Sequence, residues 1–440
     1  MIKHFRAPAM VAALALLSAC GVFSGGKKKT PTVGERVSIL ASENDVSTDQ
    51  SLASVAVQLP APEVNDAWAQ PGGNAAKSMG HLAMGAQPAR AWQASINGGS
   101  NRERLAAAPV VAENKLFVVD VQARLHAIGA DTGATLWTAE ISNTDENRAA
   151  RFGGGASYDD GKVYATDGLG DVVAFNAADG KEIWRAKPGG PLRGSPTIAN
   201  GNVYVLTQDN QIFALGQADG KVQWSQSGTL ETQGVFGVAA PASAQGSVVA
   251  GFSSGELSAY RYENGRVLWQ DALSRSSIST SVSSLADIDA EPVIDGGRVY
   301  AVGQGGRMVA LELATGQRLW EQNIAGISTP WLAGEWLFVV TDDARLACLS
   351  RASGKARWIA QLQRFRNVKA RKGPITWFGP VLAGGRLVLT NSRGEVAFAD
   401  PATGQIANTI TTGARYSLPP VVANSTLYTL DEAGRITAFR

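Results

Sequence analysis

The stretch Asp179-Gly180-Lys181-Glu182-Ile183-Trp184 decides the fold, because its Gly-x-x-x-Trp spacing recurs along the chain. Six copies keep both residues, and they begin at Gly133, Gly180, Gly220, Gly265, Gly316 and Gly354. A seventh copy has Asn408 in place of the tryptophan, and Trp92 lacks the preceding turn. From Trp137 to Trp358 the copies repeat at an average interval of about 44 residues. This period is typical of one four-stranded propeller blade.

A second recurring feature marks the beginning of each repeat, where a proline precedes a Gly or Asn turn and an apolar strand. Seven of the eight beginnings have the proline, and Ala156-Ser157 holds the equivalent place in the second repeat: Pro109, Pro196, Pro241, Pro292, Pro330, Pro380 and Pro420 are the others. Proline is tolerated at the first residue of a strand, because no ladder hydrogen bond is lost there. A later strand alternates apolar, variable, small and apolar residues, as in Ile212-Phe213-Ala214-Leu215, which has the period of a strand and not of a helix. Eight beginnings predict eight blades.

The last repeat ends at Arg440, directly after its third strand, and lacks a fourth strand with tryptophan. Trp92-Gln93-Ala94-Ser95-Ile96 supplies that strand from the other end of the chain. The sequence therefore predicts an all-β fold, an eight-bladed β-propeller with four-stranded blades over residues 89–440, closed by the N-terminal strand pairing into the last blade. We expect the tryptophans to pack between neighbouring blades, with each indole N–H bonded to a backbone acceptor.

The first 19 residues have the layout of a signal peptide, since Lys3 and Arg6 precede an apolar stretch too short to span a bilayer. Leu17-Ser18-Ala19-Cys20 resembles the lipobox of bacterial lipoproteins. The resemblance implies acyl chains, palmitate among them, on Cys20 and stable membrane attachment. Gly21 after the cysteine resembles the sorting signal for the outer membrane. A soluble periplasmic protein cut elsewhere is the alternative.

Residues 20–88 are rich in Gly, Ser, Ala, Asn, Pro and Lys without sustained periodicity, which predicts a lipid-anchored flexible tether. Trp68 and Pro71-Gly72-Gly73 are candidates for local docking on the propeller.

Composition excludes several classes of function. A net charge of +2 gives no electrostatic basis for nucleic-acid binding. Three His and two Cys cannot assemble a Cys/His zinc site or a disulfide framework. Cys348 occupies the slot that Ala127, Ala174 and Ala214 fill in other repeats, so we expect a small, inert core residue.

The Gly-x-x-x-Trp repeats resemble the tryptophan-docked repeats of quinoprotein-type eight-bladed propellers, and the resemblance covers residues 89–440. Two families share that fold. Quinone-cofactor (PQQ) dehydrogenases are enzymes with a vicinal Cys-Cys disulfide, a calcium ion and an Asp base. The BamB family consists of lipoprotein scaffolds of the outer-membrane β-barrel assembly machinery. Two adjacent cysteines are absent here, and eight blades of 44 residues leave no room for the additional loops of a dehydrogenase.

The segment Leu285-Ala286-Asp287-Ile288-Asp289-Ala290-Glu291-Pro292 is similar to the Leu-x-Asp-x-Asp-x-x-Pro stretch of the BamB family. In that family the two Asp contribute to the patch that docks on BamA, with apolar and basic residues shortly before an Ala-Pro. The Ala-Pro here is Ala240-Pro241, and the matching positions hold Gln233, Val235 and Phe236. The basic position is thus aromatic in this chain. The resemblance implies a BamA-binding patch of Asp287, Asp289, Gln233, Val235 and Phe236.

Other interpretations of the two Asp remain open. They could cap a turn or pair with Arg275, whereas a calcium site would lack the other oxygen ligands of an EF-type loop.

The resulting hypothesis is a non-enzymatic lipoprotein at the periplasmic face of the outer membrane, without cofactor or metal. Its expected partners are BamA, the other barrel-assembly components, unfolded outer-membrane protein precursors and, through the lipid anchor, the membrane. The alternatives are a PQQ-dependent dehydrogenase-like protein and an envelope propeller that binds peptides or glycans, because the fold alone does not separate these classes.

Overall fold

The computed structural model describes residues 46–100, 102–142, 147–230, 239–273 and 287–440. Within these ranges the chain forms eight four-stranded antiparallel sheets, one short additional hairpin and two 3₁₀ helices, Gln50–Leu52 and Arg148–Ala150. The sheets are the blades of a propeller, here numbered 1 to 8 from residue 110 onward. The predicted fold class is confirmed.

Each blade begins with an inner strand at the axis of the ring and ends with an outer strand. The inner strands are β2 (Val110–Ala112), β6 (Ala156–Asp159), β10 (Thr197–Ala199), β14 (Ala242–Ala244), β18 (Val293–Asp295), β22 (Trp331–Ala333), β28 (Trp377–Ala383) and β32 (Val421–Ala423). The second strands are β3 (Lys115–Val119), β7 (Lys162–Thr166), β11 (Asn202–Leu206), β15 (Ser247–Gly251), β19 (Arg298–Val302), β23 (Trp336–Val340), β29 (Arg386–Asn391) and β33 (Thr426–Leu430).

The third strands are β4 (Arg124–Gly129), β8 (Val172–Asn176), β12 (Gln211–Gly216), β16 (Glu256–Arg261), β20 (Met308–Glu312), β24 (Arg345–Ser350), β30 (Glu395–Ala399) and β34 (Arg435–Phe439). The outer strands are β5 (Thr135–Glu140), β9 (Glu182–Ala186), β13 (Val222–Ser227), β17 (Val267–Ala272), β21 (Arg318–Gln322), β25 (Ala356–Gln361), β31 (Ile406–Thr411) and β1 (Arg90–Ser95). The hairpin of β26 (Phe365–Asn367) and β27 (Lys372–Pro374) lies between blades 6 and 7.

Blade 8 joins the two ends of the described chain. Its sheet has the order β1-β34-β33-β32, and Trp92 lies opposite Ala438 in the antiparallel register. Pairing of β1 covers the edge of β34 that would otherwise lie exposed. The predicted closure is confirmed.

The tryptophans of the repeat pack between blades, as the sequence predicts. Each indole Nε1 donates a hydrogen bond to a backbone carbonyl of the next blade, and the seven pairs are Trp92–Ala130, Trp137–Ala177, Trp184–Gln217, Trp224–Tyr262, Trp269–Leu313, Trp320–Arg351 and Trp358–Pro401. In the third strand, the residue opposite each tryptophan is small. Cys348 holds this position opposite Trp358 and is fully buried, and burial raises the pKa of its thiol, so the prediction of a core residue is confirmed.

Residues 46–88 differ from the predicted flexible tether, because they lie along the propeller and belong to the same compact unit as the blades. We call residues 65–84 the strap. The strap makes a full circuit of the ring and bonds to one blade after another, through the pairs Asn65–Val422, Trp68–Val111, Ala69–Tyr158, Gln70–Ile198, Ala75–Ser243, Ala76–Ile294, Gly80–Trp331 and Leu82–Leu382. These partners lie on the eight inner strands.

The prediction of a tether is therefore wrong for residues 46–88. The sequence lacks periodicity there because the strap forms no sheet of its own: its polar backbone groups bond to the inner strands, whose edges have no other neighbour. Trp68 is 4% exposed and stacks on Trp331 with ring centroids 5.9 Å apart, so docking of Trp68 is confirmed. Residues 1–45, with the predicted signal peptide and Cys20, lie outside the described residues.

The two faces of the ring carry different parts of the chain. Strand direction alternates within a blade, so the connections that lead into the inner strands share one face, which we call the connection face. The strap meets the turns that follow the inner strands, at Gly384 and Asn424, and these turns lie toward the other face.

Candidate partner-binding site

A buried ionic cluster on the connection face includes both predicted aspartates. Nη2 of Arg193 lies 2.8 Å from Oδ1 of Asp287 and 3.4 Å from Oδ1 of Asp289. Nε2 of Gln304 donates to Oδ2 of Asp289 at 2.5 Å. Arg193 precedes inner strand β10 of blade 3 and the aspartates precede β18 of blade 5, so the ion pairs reach across the start of blade 4.

The local sequence explains how the cluster is held. The backbone N–H of Arg193 donates to the carbonyl of Leu206, and Leu192 forms a bridge with Thr207, so the connection lies along the end of β11. The backbone carbonyl of Asp287 accepts from the N–H of Gln304. Both connections are thereby fixed by main-chain bonds, and the side chains at their tips face one another.

Burial differs between the two aspartates. The side chains of Arg193 and Asp287 are 1% and 2% exposed, whereas that of Asp289 is 10% exposed. Burial, followed by the neighbouring charge of Asp287, raises the pKa of Asp289 to about 6, and Arg193 opposes this shift. Asp287 therefore fixes Arg193 in place, and Asp289 is the member of the pair that reaches the surface of the axial cavity.

An axial cavity of about 470 Å³ lies beside the cluster. Its lining includes Trp68 and Lys77 of the strap, Asp289 and Glu291 of blade 5, and Tyr416. Lys77 is 2% exposed, and its ammonium group donates to Oγ1 of Thr197 at 3.2 Å. Burial lowers the pKa of Lys77 to about 8, with Glu291 opposing the shift, and burial raises the pKa of Glu291. The strap thus places a cation at the bottom of the cavity.

The donor set of this cavity does not match a quinone–calcium site. The cysteine of the described residues, Cys348, is buried inside blade 6, away from any second thiol in sequence. Across the described ranges, no group of three or more His, Cys, Asp or Glu side chains is arranged to hold a metal ion.

Arg193 is the residue that the sequence analysis missed. The resemblance places the basic member of the patch before Ala240-Pro241, where this chain has Gln233, Val235 and Phe236, whereas the arginine that pairs with the aspartates precedes Ser195-Pro196, one blade earlier. The signal available in the sequence was Arg193 itself, a basic residue in the short connection that leads into inner strand β10. Gln233, Val235, Phe236 and Arg275 lie outside the described residues. No helix among the described residues has the length and apolar character needed to cross a membrane.

The chain is similar to known proteins over most of its length. A sequence model of the family described as outer membrane protein assembly factor BamB matches residues 79–148 and 126–360. The outer membrane protein assembly factor BamB of Yersinia pestis is 27% identical over 357 residues, which cover 80% of this chain and 88% of that protein. The corresponding protein of Escherichia coli K12 is 27% identical, and the match covers 77% of this chain and 86% of that protein.

Solved structures agree on the fold. The crystal structure of BamB from Moraxella catarrhalis superimposes with a TM-score of 0.69 at 17% identity, and the match covers 80% of this chain and all of that chain. The quinohemoprotein alcohol dehydrogenase of Comamonas testosteroni superimposes with a TM-score of 0.66 at 14% identity. That match covers 85% of this chain and 80% of the dehydrogenase chain. At these identities the structures show a shared propeller fold and no more. The matched family model spans well over half of the sequence, so this chain belongs to the outer membrane protein assembly factor BamB family.

Proposed function

We propose that this protein is a non-enzymatic scaffold for the assembly of outer-membrane proteins, bound to BamA and through it to the other barrel-assembly components. Family membership is the observation that carries the proposal. The described residues support a binding role, because Arg193, Asp287 and Asp289 form ion pairs and hydrogen bonds that fix the connections before blades 3 and 5. Surface connections held on a rigid scaffold are suited to partner recognition.

The proposed binding surface is the connection face around blades 3 to 5. Asp289, which is 10% exposed and lines the axial cavity, provides the acidic group, and Asp287 with Arg193 positions it. The connection that precedes β14 carries Gln233, Val235 and Phe236 in sequence, between the connections that hold Arg193 and Asp289. An aromatic anchor beside a charged rim is the usual composition of an interface hot spot.

The proposed location is the periplasmic side of the outer membrane, with acyl chains on Cys20 as the anchor. Labelling of cells with radioactive palmitate tests the anchor, since wild type should incorporate label and Cys20→Ala should not. Binding of unfolded precursor proteins is part of the proposal and follows from the assembly role of the family.

Affinity purification of the tagged lipoprotein from detergent extracts tests the role and the surface separately. Wild type should recover BamA, and Asp289→Lys and Phe236→Ala should each lower recovery about tenfold, the change expected for loss of one interface anchor. Asp179→Lys is the matched control, because it makes the same charge change at an exposed turn of blade 2 on the opposite face. Circular dichroism confirms that each variant is folded.

The outcomes are distinct. Equal recovery of BamA by wild type and both variants would leave the scaffold role standing and reject the proposed surface. Absence of BamA from the wild-type sample would reject the role itself and favour an envelope propeller with a peptide or glycan ligand.

A further inference from the structure

A strongly basic hairpin projects between blades 6 and 7. We call residues 364–374, which contain β26 and β27, the basic hairpin. It carries five exposed cations, Arg364, Arg366, Lys369, Arg371 and Lys372. The chain has eleven Lys or Arg and no Asp or Glu between Asp343 and Glu395, although its net charge is only +2. The five cations of the hairpin therefore lie in a stretch of the chain that contains no acidic residue.

The cations of the basic hairpin have no carboxylate partner among the described residues. Other basic residues of the same stretch do have a carboxylate partner, as Arg351 has Asp295 at 2.6 Å and Lys355 has Asp49 at 2.8 Å. In the hairpin, Arg366 donates to the backbone carbonyl of Ser392, and Arg364 lies over the ring of Phe365. Five neighbouring like charges repel one another, so the hairpin is suited to an external anionic surface that neutralises them.

One apolar side chain projects among the cations at the tip of the hairpin. Val368 stands at the turn between the two strands and is 65% exposed, with Lys369 directly after it. Apolar residues that project among lysines and arginines suit the interface of a bilayer, where the apolar group enters and the charged ends remain at the headgroups. A folded acidic protein would satisfy the charges but gives no physical reason for an exposed valine at the tip.

The position of the hairpin places it near the chain that leads to the lipid anchor. Asp49 donates its backbone N–H to the carbonyl of Ala356 at the beginning of β25, and the hairpin follows the end of the same strand at Gln361. A six-residue strand is about 20 Å long. The 26 steps from Cys20 to Val46 can extend to at most about 90 Å, so a bilayer holding Cys20 is within reach of the hairpin.

We propose that the basic hairpin binds the anionic phospholipid headgroups of the membrane to which the protein is attached. The proposal rests on the proposed lipid anchor for its location only. The anchor and the hairpin together form a two-part attachment, and the hairpin fixes the orientation of blades 6 and 7 toward the bilayer.

Vesicle flotation tests the proposal with the chain that begins at Gly21, which contains the whole compact unit from Asp45 to Arg440 and lacks the acyl chains. Wild type should bind phosphatidylcholine vesicles that contain phosphatidylglycerol, release them at high ionic strength, and fail to bind phosphatidylcholine alone. Lys369→Gln/Lys372→Gln should weaken the partition coefficient about 25-fold, at about fivefold for each lost charge. Val368→Ser should weaken it several-fold with the charge unchanged.

Lys181→Gln/Lys221→Gln is the matched control, because it removes the same charge from exposed turns of blades 2 and 3 and should leave binding unchanged. Equal partition of wild type and the hairpin variant would overturn the proposal, as would equal binding to both kinds of vesicle. If wild type bound polyglutamate but not vesicles, the hairpin would serve an acidic polypeptide and the membrane proposal would be wrong. Recovery of BamA does not enter this test, so the two proposals can fail independently.

Discussion

Trp137 lies against Gly180 of the next blade, and a β-carbon on that glycine would stand 2.5 Å from Cε3 of the indole. The Gly-x-x-x-Trp motif therefore joins two different interfaces: its glycine receives the tryptophan of the preceding blade, and its own tryptophan enters the following one. Asn408, where tryptophan is missing, is exposed on the outer strand of blade 7. The next blade is blade 8, whose third and outer strands come from opposite ends of the chain, so no glycine turn is present there to receive a ring.

Gly180→Ala should lower the free energy of unfolding by about 2–5 kcal/mol. Gly180 has a φ of +72°, which costs an L residue about 1–2 kcal/mol, and the new methyl group would overlap Trp137. Gly161→Ala is the control, since Gly161 has a φ of +73° but nothing within 4 Å of its β-carbon. Urea denaturation should show the larger loss for Gly180→Ala; equal losses would mean that the tryptophan contact adds nothing.

Gln70→Ala should destabilise the propeller by about 2–4 kcal/mol, because Gln70 bonds both to the N–H and to the carbonyl of Ile198 at 2.9 Å and leaves two buried groups unsatisfied when removed. Gln93→Ala on the exposed outer strand of blade 8 should change stability little. Thermal unfolding followed by tryptophan fluorescence measures both. A similar melting temperature for the two variants would contradict a stabilising strap.

Arg193→Met should cost about 3–5 kcal/mol, because it leaves the buried carboxylate of Asp287 without its counter-charge. The double variant Arg193→Met/Asp287→Asn should recover at least half of that loss. A double-mutant cycle in urea provides the coupling energy. Additive losses would show that the two side chains do not stabilise each other.

Asp289→Asn should make the protein more stable at pH 8, on the order of 2 kcal/mol, and leave it unchanged near pH 4. Burial raises the pKa of Asp289 to about 6 from its ordinary value of 3.8, so the folded chain retains this proton between those pH values while the unfolded chain releases it. The contribution of Asp289 to the free energy of unfolding thus falls as the pH rises from about 4 to about 6. Urea midpoints across that range measure the effect.

Asp179→Asn is the control for this pH series. Lys181 lowers the pKa of Asp179, so its neutral replacement should give no gain in stability at pH 8. A gain of the same size in both variants would mean that general charge reduction, and not burial of Asp289, is responsible.

The sequence by itself determined the blades, because seven of the eight are built from four contiguous strands with a short-range signature. The Trp spacing, the residue before each inner strand and the small residue of the third strand fix strand number, register and ring closure. The closure of blade 8 also follows from the sequence. The last 44-residue repeat ends before its fourth strand, and a strand with the expected tryptophan, Trp92, lies before the first repeat.

Only the tertiary structure decided the strap and the ionic cluster. Residues 65–84 have no periodicity because the strap crosses one blade after another and bonds to most of them through its backbone, and backbone hydrogen bonds leave no pattern in the side chains. Arg193 and Asp287 are 94 residues apart and meet because the ring brings blades 3 and 5 to one axis. A sequence repeat reflects contacts within a blade and between adjacent blades, which are the same in every repeat. Contacts across the axis join different blades, and they depend on the number of blades in the ring and on its radius.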